Sequence, residues 1–443
     1  MRSKLSIFGI ASLLLALSSA CYGTPGGGKP QGAAVNLFEL STDALVKWRT
    51  LPEPATMVVL SNVPFLQPIP KQLREKVQSL VKNGRAEDFE KKARYFRPGP
   101  ILLPSQAISA ALQCGLVSDV LWVIPSRIPI ADFDLNRLGD RLVESGILTA
   151  EERELLTKRK HMILSPLRGH QLMMTTIMDL SLTEKFHENL IVHFDLSYFQ
   201  ALYKNEVKTP IYDLLESTLK QLVKALPKPS MTTLSYSTEE EGMVEMNLRF
   251  LGKDIQASLN AEGLSAARRR LRETRKKALY LATFMINDKA LDRLKKTVLD
   301  FPDDPALLYD LYRFERSAKE GDTALKTLAR AVELDPGFGY EYLSLARDAE
   351  TAGRPDKAIE MLQKAKLIFP DNHYIDLETA AAWKRAGHAA GALAIYRDLQ
   401  TKTWSEVYYP DMPTRLKNLI SQVSETPRKP PGERNPTTKG LSK

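Results

Sequence analysis

Cysteine and histidine are scarce in this chain of 443 residues, which has two of the first, Cys21 and Cys114, and six of the second. Two cysteines exclude the paired Cys-x-x-Cys ligands of a structural zinc site. No His-x-x-x-His spacing, nucleophile elbow or glycine-rich phosphate loop occurs, so the common signatures of metalloproteases, serine hydrolases and nucleotide-binding enzymes are missing. After the first twenty residues no apolar run is long enough to cross a bilayer as a helix. What remains has ordinary globular proportions, 43% apolar and 26% charged, and enough length for two or three folding units.

The first twenty residues follow a different logic. Arg2 and Lys4 make a basic start, Ile7 to Leu17 an apolar run, and Ser18-Ser19-Ala20 a small-residue exit. That order predicts a secretory signal over residues 1–20, so the protein is expected to be exported. Cys21 follows Ala20 directly and is followed by Gly23-Thr24-Pro25-Gly26-Gly27-Gly28. This junction resembles a bacterial lipoprotein signal, in which the cysteine becomes the lipidated first residue. It departs from that pattern in carrying Ser18 where leucine is favoured, with Leu17 one position early. The resemblance implies a membrane-anchored lipoprotein tethered through Cys21; plain cleavage into a periplasm remains the alternative. Residues 21–50 are expected to be a flexible tether. Cys114, inside the apolar stretch Ala107 to Leu116, is expected to pack as a small buried hydrophobe, with a Cys21–Cys114 disulfide as the competing possibility.

Formal charge is +9, two units of which come from Arg2 and Lys4. The excess is partly local: Arg268, Arg269, Arg270, Arg272, Arg275, Lys276 and Lys277 crowd one predicted helix. No aromatics interleave them as a base-stacking platform would need, so nucleic acid is not expected as a partner. The simplest expectation is a solvated helix, with an anionic membrane surface or an acidic protein as the alternative. Glu239-Glu240-Glu241 is expected to be a solvated loop, and the proline-rich stretch after Glu425 a disordered tail.

The strongest regularity is a period of 34. Ala290, Ala324, Ala358 and Ala392 keep that spacing, as do Leu294, Leu328 and Leu362, and Pro302, Pro336 and Pro370. A small residue lets two helices approach, a leucine one turn later fills the space between hairpins, and a proline ends the second helix. Gly353 and Gly387 suit the turn inside each hairpin; Gly321, closer to its alanine, predicts a turn displaced by two residues in that unit. The pattern closely resembles the tetratricopeptide repeat (TPR) family, with Ala331 and Ala365 as its later small residue. Thr297 and Leu399 depart from it at the two ends. Hairpins are predicted at about 269–301, 305–335, 339–369 and 373–400, within a helical region 263–404 that is followed by a C-terminal segment 405–443. The resemblance implies a concave groove that binds a protein or peptide, for which Tyr309, Arg313, Tyr340 and Lys384 are the candidates.

Between tether and repeats, over 51–262, strand-length apolar runs alternate with helical patterns. Predicted strands are Met57–Leu60, Val120–Ile124, Leu172–Ile177, Leu190–Phe194 and Thr232–Tyr236. Predicted helices are 71–82, 105–114, 133–145, 150–158 and 211–225. Continuous hydrophobicity in Val120-Leu121-Trp122-Val123-Ile124 suits a strand buried on both faces, and so a three-layer α/β domain with a mostly parallel sheet. Function in such sheets gathers at the carboxyl ends of strands. There lie His193-Phe194-Asp195-Leu196-Ser197 and Thr233-Leu234-Ser235-Tyr236-Ser237. With Leu103-Pro104-Ser105 and the Asp119 to Pro125 strand, they resemble the arginase and deacetylase (ureohydrolase-like) fold, in its uncharacterised arginase-like branch. Active members of that group hold two divalent metals through His and paired Asp side chains. Here Asp195 stands without a partner aspartate, because Ser197 takes that place, and the counterpart of the first metal segment, Leu60-Ser61-Asn62-Val63-Pro64-Phe65, has neither His nor Asp.

The resemblance therefore implies a pseudoenzyme without cofactor, fused to a TPR scaffold that binds another envelope protein. The alternative is a metal-dependent hydrolase of carbon–nitrogen bonds, using a divalent metal held in part by His193 and Asp195. His161, His170 and His187 are scattered and suggest no site.

Overall fold

The computed structural model describes residues 34–183, 189–204, 207–238, 244–260 and 263–425. The expected signal over residues 1–20, Cys21, His187, the Glu239–Glu241 triplet and the proline-rich stretch after Glu425 lie outside the described residues.

Eight strands form one sheet. They are β1 (Val35–Phe38), β2 (Ala55–Leu60), β3 (Val117–Ile124), β4 (Thr157–Lys158), β5 (Ile163–Leu167), β6 (His170–Thr176), β7 (Leu190–Asp195) and β8 (Met231–Ser235). The order is β1-β8-β7-β2-β3-β6-β5-β4. All neighbours from β1 to β6 run parallel, and β4 and β5 add an antiparallel edge. Alternation along the central strands explains the layers. Met57 and Val59 enter one buried core while Val58 and Leu60 enter another on the opposite face, as expected where helices cover a parallel sheet on both sides.

Two expectations change. Residues 21–50 are not a tether throughout: Val35–Phe38 is an edge strand paired with β8, and Leu45–Trp48 is a short helix whose Leu45 and Trp48 are fully buried. Strand β1 is only four residues long, too short for its pattern to register beside the glycine-rich stretch. The predicted helix 150–158 stops at Glu154, and Thr157–Lys158 becomes β4.

From residue 266 onward the described chain is all helical, consistent with a helical-repeat solenoid. The hairpins are Ala266–Thr283 with Asn287–Asp300, Pro305–Ser317 with Gly321–Leu334, Glu341–Thr351 with Pro355–Ile368, and His373–Arg385 with Ala389–Thr401. Ala290, Ala324, Ala358 and Ala392 are buried at the helix crossings, and each second helix of the first three hairpins ends two residues before its proline. Within the 405–443 segment, Met412–Ser424 is a ninth helix of this region, packing Leu416 and Val423 in one cluster with Tyr396 and Leu399.

The hairpin turns are in register throughout, which corrects the expected displacement in the second unit. The left-handed position falls at Met285, Lys319, Gly353 and Gly387, with φ of 61°, 63°, 67° and 82°. After each, the next amide reaches back to the carbonyl five residues earlier: Ile286 to Leu281, Glu320 to Glu315, Arg354 to Ala349 and His388 to Trp383. This is the Schellman closure that glycine normally supplies. Gly321 takes no part in it and begins the following helix instead.

A left-handed conformation costs a non-glycine residue about 1–2 kcal/mol. Lys319→Gly should therefore stabilise the array by about 1 kcal/mol, and Gly353→Ala should destabilise it by about 1 kcal/mol. A Cβ at Gly353 meets nothing within 4 Å, so the second effect is one of backbone alone. Chemical denaturation of both variants checks the pair of opposite signs.

Candidate functional site

The carboxyl ends of β2, β7 and β8 are where chemistry was expected. Register brings the polar side chains together: His193 pairs with Thr233 and Asp195 with Ser235. Alternate residues on a strand share a face, so imidazole, carboxylate and two hydroxyls form one cluster. The N-terminal segment seals it. Ser41 Oγ lies 3.0 Å from His193 Nε2 and 3.0 Å from Ser235 Oγ. Trp48 packs edge-on to the imidazole, with ring centroids 5.1 Å apart, and its Nε1 donates to Thr233 Oγ1 at 3.1 Å. Phe65 approaches from the β2 side at 6.5 Å.

The proton pattern follows from counting donors. Thr233 Oγ1 accepts from Trp48, so its own proton is available to His193 Nδ1, 2.9 Å away. Placing the imidazole proton on Nε2 then lets it donate to Ser41 and leaves no hydroxyl proton unused. The chain continues through Ser235 to Asp195 Oδ2, which also accepts from Ser237, while Asp195 Oδ1 accepts from the Ser197 amide at 3.0 Å. Such a chain is self-reinforcing in a low-dielectric interior. Ser197 Oγ in turn accepts from the Asn62 amide at 3.1 Å, tying β7 to β2.

His193 and Asp195 are completely buried. Burial pushes the His193 imidazole down to about 3 and the Asp195 carboxyl above its usual range, the latter opposed by the hydrogen bonds of Ser197, Ser235 and Ser237. His193, Asp195 and Ser197 converge in a filled interior and not in a cleft, and Asn62, itself exposed, reaches them only through its backbone amide. The donor set does not fit the two-metal centre of the arginase-like resemblance. It offers one imidazole and one carboxylate among hydroxyls, and among the described residues no three His, Cys, Asp or Glu side chains are grouped to hold a metal ion. His161 instead pairs with Asp179 at 3.0 Å, and His170 with the Ser118 carbonyl at 2.9 Å. Cys114 is half-buried against the core, and burial raises its thiol to about 11.

Open space lies elsewhere: one cavity of about 250 Å³ is within the sheet domain, lined by Arg74, Ser109, Arg168 and His170 among others, and more lies between the sheet domain and the repeats. Two adjoining cavities of about 480 and 370 Å³ share Asn247, Arg313 and Glu341. One wall is the 244–250 segment, with Tyr203 and Ile211; the other is formed by the first helices of the second and third hairpins, with Leu279, Ala282 and Asn287 of the first hairpin closing the larger cavity. The walls are held apart and fixed by buried arginines. Arg249, almost fully buried, donates to Glu39, to Thr238 and to both oxygens of Asp335, lying over the Tyr236 ring at 4.0 Å. Burial works against its charge, yet Glu39 and Asp335 hold it above the ordinary arginine value. Gly337 gives it room, since a Cβ there would lie 2.2 Å from its guanidinium.

The basic run contributes a second bolt, against the expectation of a solvated helix. Arg275 is 1% exposed and pairs with Asp310 at 2.6 Å and Asp304 at 3.3 Å. Arg268 bridges Asp254 and Asp304, each at 3.0 Å, and Arg272 lies over the Tyr212 ring at 4.6 Å. The spacing 268, 272, 275 places these three on one helical face, a signal present in the sequence but masked by the equally basic residues between them. At the far end of the array, Tyr409 Oη accepts from the Phe96 amide at 2.6 Å and Tyr408 Oη donates to Gln106 at 2.8 Å. The repeats thus grip the sheet domain at both ends.

Of the expected groove residues, Tyr309, Arg313 and Tyr340 all line the 370 Å³ cavity. Both tyrosines are nonetheless buried. Tyr309 Oη donates to Glu341 at 2.7 Å, and the Tyr340 ring stacks on Phe369 at 4.0 Å, so they serve packing first. Arg313 is half-buried and has no ion-pair partner among the described residues. Lys384 lies apart, donating to Gln422 at 3.2 Å. Arg347, unforeseen, lines the same cavity as Arg313.

No family model matches the chain, and no curated protein matches it. Among solved structures it is similar to the one described as the crystal structure of MamA protein. That match has 18% identity over 33% of this chain and 82% of the other, with a TM-score of 0.23.

The buried imidazole has a measurable consequence. The unfolded chain takes up a proton at His193 near pH 6.5, whereas the native state resists it to about pH 3. Its contribution to stability is complete above pH 6.5 and is lost as pH falls below it. The raised carboxyl of Asp195 acts with the opposite sign, its contribution fading as pH rises. Subtracting the pH profile of His193→Gln from that of the wild type should isolate the histidine. The difference should steepen toward about 1.4 kcal/mol per pH unit on acidification to about pH 4.5, measured by urea denaturation.

Proposed function

We propose that this protein is an exported scaffold of the tetratricopeptide type that takes a protein or peptide partner in the two-walled groove between repeats and sheet domain. The carrying observation is the groove itself. It is polar at its centre, and Arg313 and Arg347 stand in it without ion-pair partners among the described residues. Asn247 lines both cavities, on the wall that faces these arginines. The 34-residue period supports the repeat assignment, and the sealing of His193 and Asp195 favours binding over catalysis. The order of Arg2, Lys4, the Ile7–Leu17 run and Ala20 supports export into a periplasm. Anchoring through Cys21 is the accompanying reading.

A photo-crosslinking residue at Arg313 should capture a discrete partner in cells, and the same residue at Leu367, 85% exposed elsewhere on the array, should not. Equal capture at both positions, or none at Arg313, overturns the groove as the binding surface. Intact mass of the mature protein should place its amino terminus at Cys21, with an added lipid mass if the tether forms.

A further inference from the structure

The four hairpin turns share one backbone but not one chemistry. The three residues at the apex read Ala318-Lys319-Glu320, Ala352-Gly353-Arg354 and Ala386-Gly387-His388 in the later units, and Phe284-Met285-Ile286 in the first. These are not buried replacements. Phe284 is 49% exposed, Met285 82% and Ile286 40%, and Tyr280, one turn back, is 54% exposed with its ring 4.9 Å from that of Phe284. A terminal repeat ordinarily turns a polar face outward. This one instead concentrates large apolar side chains on a protruding tip.

Met285 makes the case sharper, because two unfavourable terms meet in one residue. Its φ of 61° is the position that glycine holds in the third and fourth hairpins, and its side chain stands in solvent. Neither the backbone nor the packing of this chain benefits from methionine there.

The surroundings say what the tip fits. The exposed stripe of the Ala266–Thr283 helix runs from Arg269 through Glu273 and Lys277 to Tyr280 and Phe284, so basic residues lead to aromatic ones. Across the turn, Lys289, Arg293 and Lys296 are exposed, against the acids Asp288 and Asp292. None of these cations, nor Lys277, has an ion-pair partner among the described residues, whereas Arg270 is matched by Asp300 and Lys295 by Glu320. Lys277 is seven residues from Phe284, about 10 Å along a helix, which is close to the screening length at physiological salt. Arg269 is about 20 Å back and adds attraction only at low salt. Apolar and aromatic residues at a tip with cations one turn or two behind are arranged as interfacial anchors are. A protein partner would need a pocket shaped to a convex apex, whereas a bilayer accepts one without complementarity.

We infer that the first hairpin tip, Phe284-Met285-Ile286 with Tyr280, is a membrane-docking element that inserts into the headgroup region of an anionic lipid surface while Lys277 and Lys289 contact the headgroups. This goes beyond the partner-binding groove and does not depend on it.

The test uses residues 33–443, which contain every described buried core residue and exclude both the signal and Cys21. Co-sedimentation is measured with phosphatidylcholine vesicles containing about 30% phosphatidylglycerol, and with phosphatidylcholine alone. Binding to the anionic vesicles is expected, weakening in high salt. Met285→Gly should lower it at least about fivefold while leaving thermal stability unchanged or raised, since glycine relaxes the left-handed turn. Lys319→Gly, the same change one repeat later, should leave binding unaltered. Equal partition of wild type and Met285→Gly overturns the proposal. So does a native-mass dimer that the Met285→Gly variant loses, which would assign the tip to a second copy of the chain.

Discussion

Arg249 is the point on which the architecture turns. A guanidinium taken out of water demands compensation of several kcal/mol, and here the compensation comes from two directions at once. Glu39 and Thr238 belong to the sheet domain, whereas Asp335 belongs to the loop between the second and third hairpins. Removing either side leaves a charge buried without its partner, so the relative position of sheet and repeats is strongly specified. Arg275, between Asp304 and Asp310, repeats the device at the first hairpin. The groove of Asn247, Arg313 and Glu341 exists because these bolts hold its two walls at a set distance.

The strand-end cluster shows the same interior chemistry turned to a different end. A histidine and an aspartate in the crevice of a parallel sheet suggest a reaction centre by position alone. Their neighbours bury both side chains completely. Ser41, Thr233, Ser235 and Ser237 supply hydroxyl partners to the two side chains, the Ser197 amide donates to the remaining carboxylate oxygen, and Trp48 packs edge-on to the imidazole. A network that is fully matched specifies one packing of β7 against β8 and the N-terminal segment. Both side chains of the pair thereby have their hydrogen-bond partners inside the fold.

Much of this was readable in advance where the physics is local. Helix ends, hairpin period, small crossing residues and the central strands depend on residues a few positions apart, and alternation or proline placement reveals them. Three features escaped. The short strand Val35–Phe38 carries no periodicity of its own and exists only because β8 offers it an edge. The turn at Lys319 was hidden because Gly321 is the more obvious turn residue, though the hydrogen bonds of the Schellman closure fall two positions earlier. The inward face of Arg268, Arg272 and Arg275, the first half-buried and the other two buried, was hidden because charge alone cannot say which face of a helix meets carboxylates.

By itself, then, the sequence determined a parallel-sheet domain followed by hairpins of 34 residues, since both follow from hydrophobic spacing within single elements. Only the tertiary structure decided that the site at His193 is closed, that the basic helix is an interface and that open space lies between the two halves. Those outcomes depend on pairs such as Arg249 with Glu39 or Ser41 with His193, separated by 210 and 152 residues. At such separations, no pattern in the chain reports which groups will share the same dry space.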